Sequence, residues 1–169
     1  MEVFAAIRTV LAVRRFQGSV VSAEIRDRIV EAGRLSGSSI NLQPWHFIVI
    51  EERDALRQVG AIMKTGPYIA NASFAVVVLV EKDNAYAVSD ASRAIQNMIL
   101  AAWSEGVGSN WVGFGPMPAV EKLLGVPASF EGLGIIPFGI PAARLGLGKK
   151  KRKPLGEVAS RERFGSPFG

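Results

Sequence analysis

The chain has 169 residues, 49% hydrophobic and 21% charged, a balance that belongs to folded globular proteins and excludes a disordered segment. It has no cysteine, which excludes disulfides, thiol nucleophiles and cysteine-ligated metal and fits a reducing cytoplasm. Its 20 Lys+Arg exceed its 15 Asp+Glu by one run alone, Lys149, Lys150, Lys151, Arg152 and Lys153, so the rest of the chain is balanced.

In chain order, Phe4, Ile7, Val10 and Leu11 fall at helical spacing and predict a first helix over 2–12. Ser22 is a good N-cap and Glu24 suits the first turn, so a second helix is expected from there to about Leu35. Residues 37–44 read as a loop and HFIVIE at 46–51 as a strand. A helix is expected at 53–63, then a loop over 64–72. FAVVVLV at 74–80 predicts a strand covered on both faces. The longest helix, 89–105, carries Ala91, Ile95, Met98, Ile99 and Ala102 as a stripe. Its other faces are also apolar at Leu100, Ala101 and Trp103, so burial on more than one side is expected. Short strands follow near 110–114 and 133–139, with a helix at about 118–124 between them. From Pro141 onward the chain is rich in Gly and Lys and has no core of its own.

The expectation is one α+β domain over 1–169, its tail from about 141 packing on a partner subunit. No apolar run reaches the roughly 18 residues of a membrane span. The N-terminus is apolar early and basic late, the reverse of a secretory signal. A mean hydropathy of +0.23 leaves apolar surface to hide, which predicts an obligate dimer.

Most enzyme signatures are missing. The only histidine, His46, sits in an apolar strand and reads as packed or hydrogen-bonded. One His without Cys makes no His/Cys metal site, and neither a phosphate-binding P-loop nor a nucleophile elbow occurs. Chemistry would then come from a bound cofactor. Three segments offer a place for one. Arg14 and Arg15 close the first predicted helix, where the dipole favours cations whether or not they bind anything. Ser38, Ser39, Asn41 and Gln43 stand in a polar loop stiffened by Pro44, by composition no more than a turn. Gly108 to Phe114 combine glycines with two aromatics, allowing backbone amides close to a ring system. The Lys149–Lys153 run suits a local anion such as a cofactor phosphate. A nucleic-acid binder would spread its cations over a face, so no nucleic-acid partner is expected.

Taken together, VRRF at 13–16, SGSSINLQPWHFIVI at 36–50, SDASRAIQNMILAAWSEGVGSNWVGF at 89–114, LLGVP at 123–127, GIIPFGIPA at 134–142 and KKKRKPLGEV at 149–158 resemble the flavin-dependent nitroreductase family along nearly the whole chain. The resemblance implies a central antiparallel or mixed sheet flanked by helices, in an intertwined homodimer that holds FMN at its interface. It also implies ping-pong transfer of reducing equivalents from NAD(P)H to a nitroaromatic, quinone or similar small acceptor, with the flavin rather than a side chain as the catalytic centre. By the same resemblance Arg14, with Arg15 beside it, stands near flavin N1 and O2. Ser38, Ser39, Asn41 and Gln43 form the loop touching the flavin. Trp111, Val112, Gly113 and Phe114 match a partner-subunit segment beside the ring, and Lys150 and Arg152 grip the phosphate.

Two departures stand out. Where relatives carry Arg-Arg-Ser or Arg-His-Ser, this chain has Val10, Leu11 and Ala12. A phosphate-gripping arginine and a hydroxyl are thus absent, with Arg8 about one turn away as a substitute. A non-catalytic flavin or nucleotide binder is the alternative that this loss motivates. The connection EKDNAYAV also lacks the helical lid of larger relatives, so the pocket is expected to be open.

Overall fold

The computed structural model describes residues 1–143 and 150–168. Helices α1 (Val3–Thr9), α2 (Ala23–Arg34), α3 (Arg53–Ile62), α4 (Ala87–Ser104), α5 (Pro118–Leu123) and α6 (Leu155–Val158) surround strands β1 (Trp45–Ile50), β2 (Phe74–Glu81), β3 (Gly108–Ser109) and β4 (Phe130–Gly139). The sheet runs β1-β2-β4-β3 with every pairing antiparallel. The fold is α+β, as its sequence predicts.

Strand β2 organises the core because every side chain from Phe74 to Val80 is buried. Alternation divides them: Phe74, Val76, Val78 and Val80 face a cluster with Ile29, Ile95 and Met98 from α2 and α4. Ala75, Val77 and Leu79 face Leu56, Val59 and Val120 from α3 and α5. Helix α4 buries Ala91, Ala94, Ile95, Met98 and Ala102 on this sheet. Its Ile99, Leu100, Ala101 and Trp103 remain only partly covered.

The first helix is shorter than its apolar spacing predicts. It ends at Thr9, and Val10 is already extended, with φ −56° and ψ 132°. Beyond it Ala12 bridges Ser109, and the Val13 amide donates to the Ser109 carbonyl at 2.8 Å. Sheet pairing therefore outcompetes the three further helical residues, Val10, Leu11 and Ala12, that the spacing predicts. Gly108 permits it: a Cβ there would lie 2.5 Å from Val13 Cγ2. The residues whose spacing marks α1 are not the ones it buries. Ala6 and Thr9 are buried, while Phe4 is 68% and Ile7 47% exposed. The Thr9 hydroxyl fixes this rotation by accepting the Trp103 indole N–H at 2.9 Å.

The strand expected at 110–114 is confined to Gly108–Ser109, with one further bridge from Val112 to Ile135. His46 is exposed rather than packed. Its strand lies at the sheet edge, and its ring meets Phe130 edge-on at 6.1 Å. The connection from β2 to α4 is the short segment Lys82–Tyr86, which carries no helix.

Candidate functional site

A cavity of about 1110 Å³ opens between α1, the 10–12 segment, α4 and the residues after β3. Small-molecule sites occupy roughly 300–1,000 Å³, so this one is spacious and open-sided. Phe4, Ile7, Val10, Leu11 and Ile99 make its apolar wall, and Ser109, Asn110 and Trp111 add polar and aromatic surface. Arg8, Lys150 and Arg152 also line it, and among the described residues no carboxylate does.

The basic end is tied to the fold. Lys150 Nζ donates to the Ile7 carbonyl at 2.6 Å, in the last turn of α1, where a cation is favoured. Partial burial and then the neighbouring Arg152 hold the Lys150 ammonium below its ordinary pKa. Two cations are thus held together with no acid on the cavity wall. Such a pair repels itself and favours an anion over a cation as a neighbour.

Trp111 reaches the cavity by lying across β4. A Cβ on residue 134 would stand 2.3 Å from its Nε1, so only glycine admits the indole there. The buried indole N–H has no hydrogen-bond partner among the described residues. Asn110 donates from Nδ2 to the Tyr68 hydroxyl and, at 3.2 Å, to the Trp111 carbonyl.

The second predicted segment is a separate structure. Ser39–Asn41 form one 3-10 turn, and three nearby residues that are not glycine take left-handed backbone: Ile40 at φ 45°, Asn41 at 57° and Gln43 at 53°. Such geometry costs on the order of 1–2 kcal/mol per residue, less for Asn. The Ser39 amide donates to Asp90 Oδ2 at 2.8 Å and its hydroxyl to Oδ1 at 3.3 Å. The Gln43 amide donates to Ser38 Oγ at 3.0 Å.

The structure therefore brings Trp111, Lys150 and Arg152 into one cavity, with Arg8 beside them. Within a single copy Trp111 shares that cavity with the basic pair, whereas the family resemblance implies a Trp111 segment provided by a partner. Arg14 and Arg15 are exposed, two and three residues beyond Ala12 on the cavity wall. Their backbone is anchored, since the Arg15 carbonyl accepts the Ala142 amide at 2.9 Å. Val112 is buried, and its amide is committed to the Ile135 carbonyl. Gly113 and Phe114 border a smaller cleft of about 370 Å³ that includes Met63 and Met117. Phe114 is 75% exposed. Ser38, Ser39, Asn41 and Gln43 do not line the large cavity of their own copy. Lys149 lies outside the described residues. Asp90 is not singled out by the sequence reading, although an acid on the buried stripe of α4, four residues before Ala94, is a signal visible there.

The pattern of the nitroreductase family matches residues 8–81 and 63–140. Over 154 residues the chain is 32% identical to a Methanothermobacter thermautotrophicus protein provisionally named an NADH dehydrogenase/NAD(P)H nitroreductase, covering 86% of this chain and 81% of that one. A solved structure of the same provisional name, from Bacteroides thetaiotaomicron, superposes with a TM-score of 0.85 at 27% identity, over 96% of this chain and 98% of that one. The FMN-dependent nitroreductase of Clostridium difficile shares the fold, with a TM-score of 0.85 at 23% identity over 95% and 99% of the two chains. Family pattern, sequence and fold thus converge, and the chain belongs to the nitroreductase family of oxidoreductases.

Proposed function

We propose that this protein is a homodimeric, FMN-dependent oxidoreductase of the cytoplasm that passes reducing equivalents from NAD(P)H to a nitroaromatic, quinone or similar acceptor in ping-pong fashion. One observation carries the reading: a single cavity joins an apolar, Trp-bearing wall to a cationic end without carboxylates. FMN has that polarity, a flat ring at one end and a phosphate dianion at the other. When bound, it supplies the redox chemistry that this chain's own side chains lack.

The residues present fit the group. Lys150 and Arg152 neutralise the phosphate, and the Ile7 carbonyl keeps Lys150 in place. Arg8, on the same wall, adds the third cation. Arg14 remains the proposed cation near flavin N1 and O2, on a backbone fixed by the Ala142 contact. Gly113 and Phe114, with Trp111, are proposed to border the ring. A second copy, packed against the exposed apolar side chains of α1, closes the open side and contributes its own 38–43 loop and its tail from about 141.

Purified protein titrated with FMN should turn yellow, and the bound flavin should bleach when NADH or NADPH is added without oxygen. Protein that takes up no FMN under any condition overturns the reading. Val10, Leu11 and Ala12 stand on the cavity wall without a cation or long polar side chain, which favours a second reading, a flavin binder without turnover. Tight FMN binding without bleaching selects that second reading.

A further inference from the structure

Among the described residues Asp90 is the only buried charged side chain, and it does not line the large cavity. Its carboxylate accepts the Ser39 amide and hydroxyl and pairs with Arg93 one turn along α4. Seven residues on, Asn97 Nδ2 donates to Ser36 Oγ at 2.7 Å. A spacing of seven puts Asp90 and Asn97 on one stripe of the helix. The chain at 36–39 is therefore fastened at two points to α4, the element packed on the central strand.

Past this anchor the chain adopts backbone that its own residues do not favour. Ile40 is β-branched and left-handed, and its side chain is 84% exposed, so no packing holds it there. Asn41 and Gln43 continue in the same region of backbone space. Such conformations persist where the surroundings over-determine them, and at ligand sites above all. Both Ser39 donors are spent on Asp90, whereas Asn41 and Gln43 are exposed.

We infer that Asp90 is a positioning residue for the cofactor: by clamping Ser39 it imposes left-handed backbone on Ile40, Asn41 and Gln43 and so presents Asn41 to the flavin seated against a second copy. This rests on the proposed flavin site. Ser39 then serves as the anchor of the loop, and Asn41 as its ligand-facing group.

The test compares wild type, Asp90→Ala, Asp90→Asn and the double variant Asp90→Ala with Ile40→Gly. Two measurements are made on the dimer, FMN affinity by flavin fluorescence and hydrogen exchange of the 36–44 amides. Asp90→Ala should weaken FMN at least tenfold and speed exchange in that loop, with exchange in β2 unchanged. Glycine at 40 takes left-handed backbone without the β-branched penalty, so the double variant should recover FMN affinity to within about threefold of wild type. A merely structural acid predicts no such recovery, and an unrecovered double variant overturns the inference. So does wild-type affinity in Asp90→Ala. Should Asp90→Ala fail to fold, Asp90→Asn keeps the volume but removes the charge and turns one of the two acceptors into a donor, so one Ser39 bond is lost and the other weakened. Loop exchange should still quicken, and unchanged loop exchange in it overturns the clamp. If wild type binds no FMN, the flavin reading falls by itself, while loop exchange in Asp90→Ala still decides whether the clamp exists.

Discussion

At the scale of single residues, the cationic end of the cavity gives the sharpest expectations. Lys150→Ala and Arg152→Ala each remove a charge-assisted contact worth about 1.5–3 kcal/mol, so FMN affinity should fall roughly 10- to 150-fold. Riboflavin, which lacks the phosphate, should bind both variants as it binds wild type; an equal loss for the two ligands would place the phosphate elsewhere. The pH dependence has a definite sign. Lys150 in the free protein is held below its ordinary value of 10.5 by burial and Arg152, so the unfolded chain binds more protons in the alkaline window below 10.5. Its contribution to stability therefore rises with pH through that window. A bound phosphate restores the ammonium, so FMN binding there should take up protons, measurable as buffer-dependent binding enthalpy. Trp111 offers a second handle. Gly134→Ala puts a methyl where Nε1 lies, displaces the indole from the cavity and should weaken FMN while leaving β4 paired. Unaltered affinity and tryptophan fluorescence would show the indole to be irrelevant.

At the scale of elements, α1 and α4 define the site together. One face of α4 packs on β2, Gln96 and Ile99 line the cavity, and Asp90 and Asn97 hold the 36–39 segment. The orientation of α1 depends on the Trp103–Thr9 hydrogen bond. Thr9→Val keeps the volume but leaves a half-buried indole N–H unpaired, at a cost of about 1–3 kcal/mol. A lower denaturation midpoint with faster exchange in α1 is expected, and wild-type values for both would show that Thr9 does not orient the helix. Sequence periodicity located α1 but did not say what its apolar positions pack against. Phe4 and Ile7 repeat as core residues do, and the spacing cannot distinguish burial within a chain from burial against another.

For the whole molecule, the same ambiguity carries the dimer proposal. Val3, Phe4 and Ile7 form an apolar surface beside the cavity in the single copy, and contiguous exposed apolar surface marks an interaction site. Ile7→Glu should yield a monomer by sedimentation and reduce FMN affinity together with dimerisation. A variant that stays dimeric with wild-type affinity would move the interface away from α1.

What the residues alone determined was the fold class and the two-faced burial of β2, because these depend on local period and composition. The 74–80 run reads as a covered strand whatever lies beside it, and the five-cation cluster stands out because the rest of the chain is balanced. Only tertiary structure decided that α1 stops at Thr9 in favour of pairing with Ser109, that His46 faces solvent at a sheet edge, and that Arg8 shares a cavity with Lys150 and Arg152. The same holds for Asp90, whose meaning depends on Ser39, fifty-one residues away in sequence. Such contacts join residues far apart in the chain, and no local pattern encodes which distant partner will fill a given space.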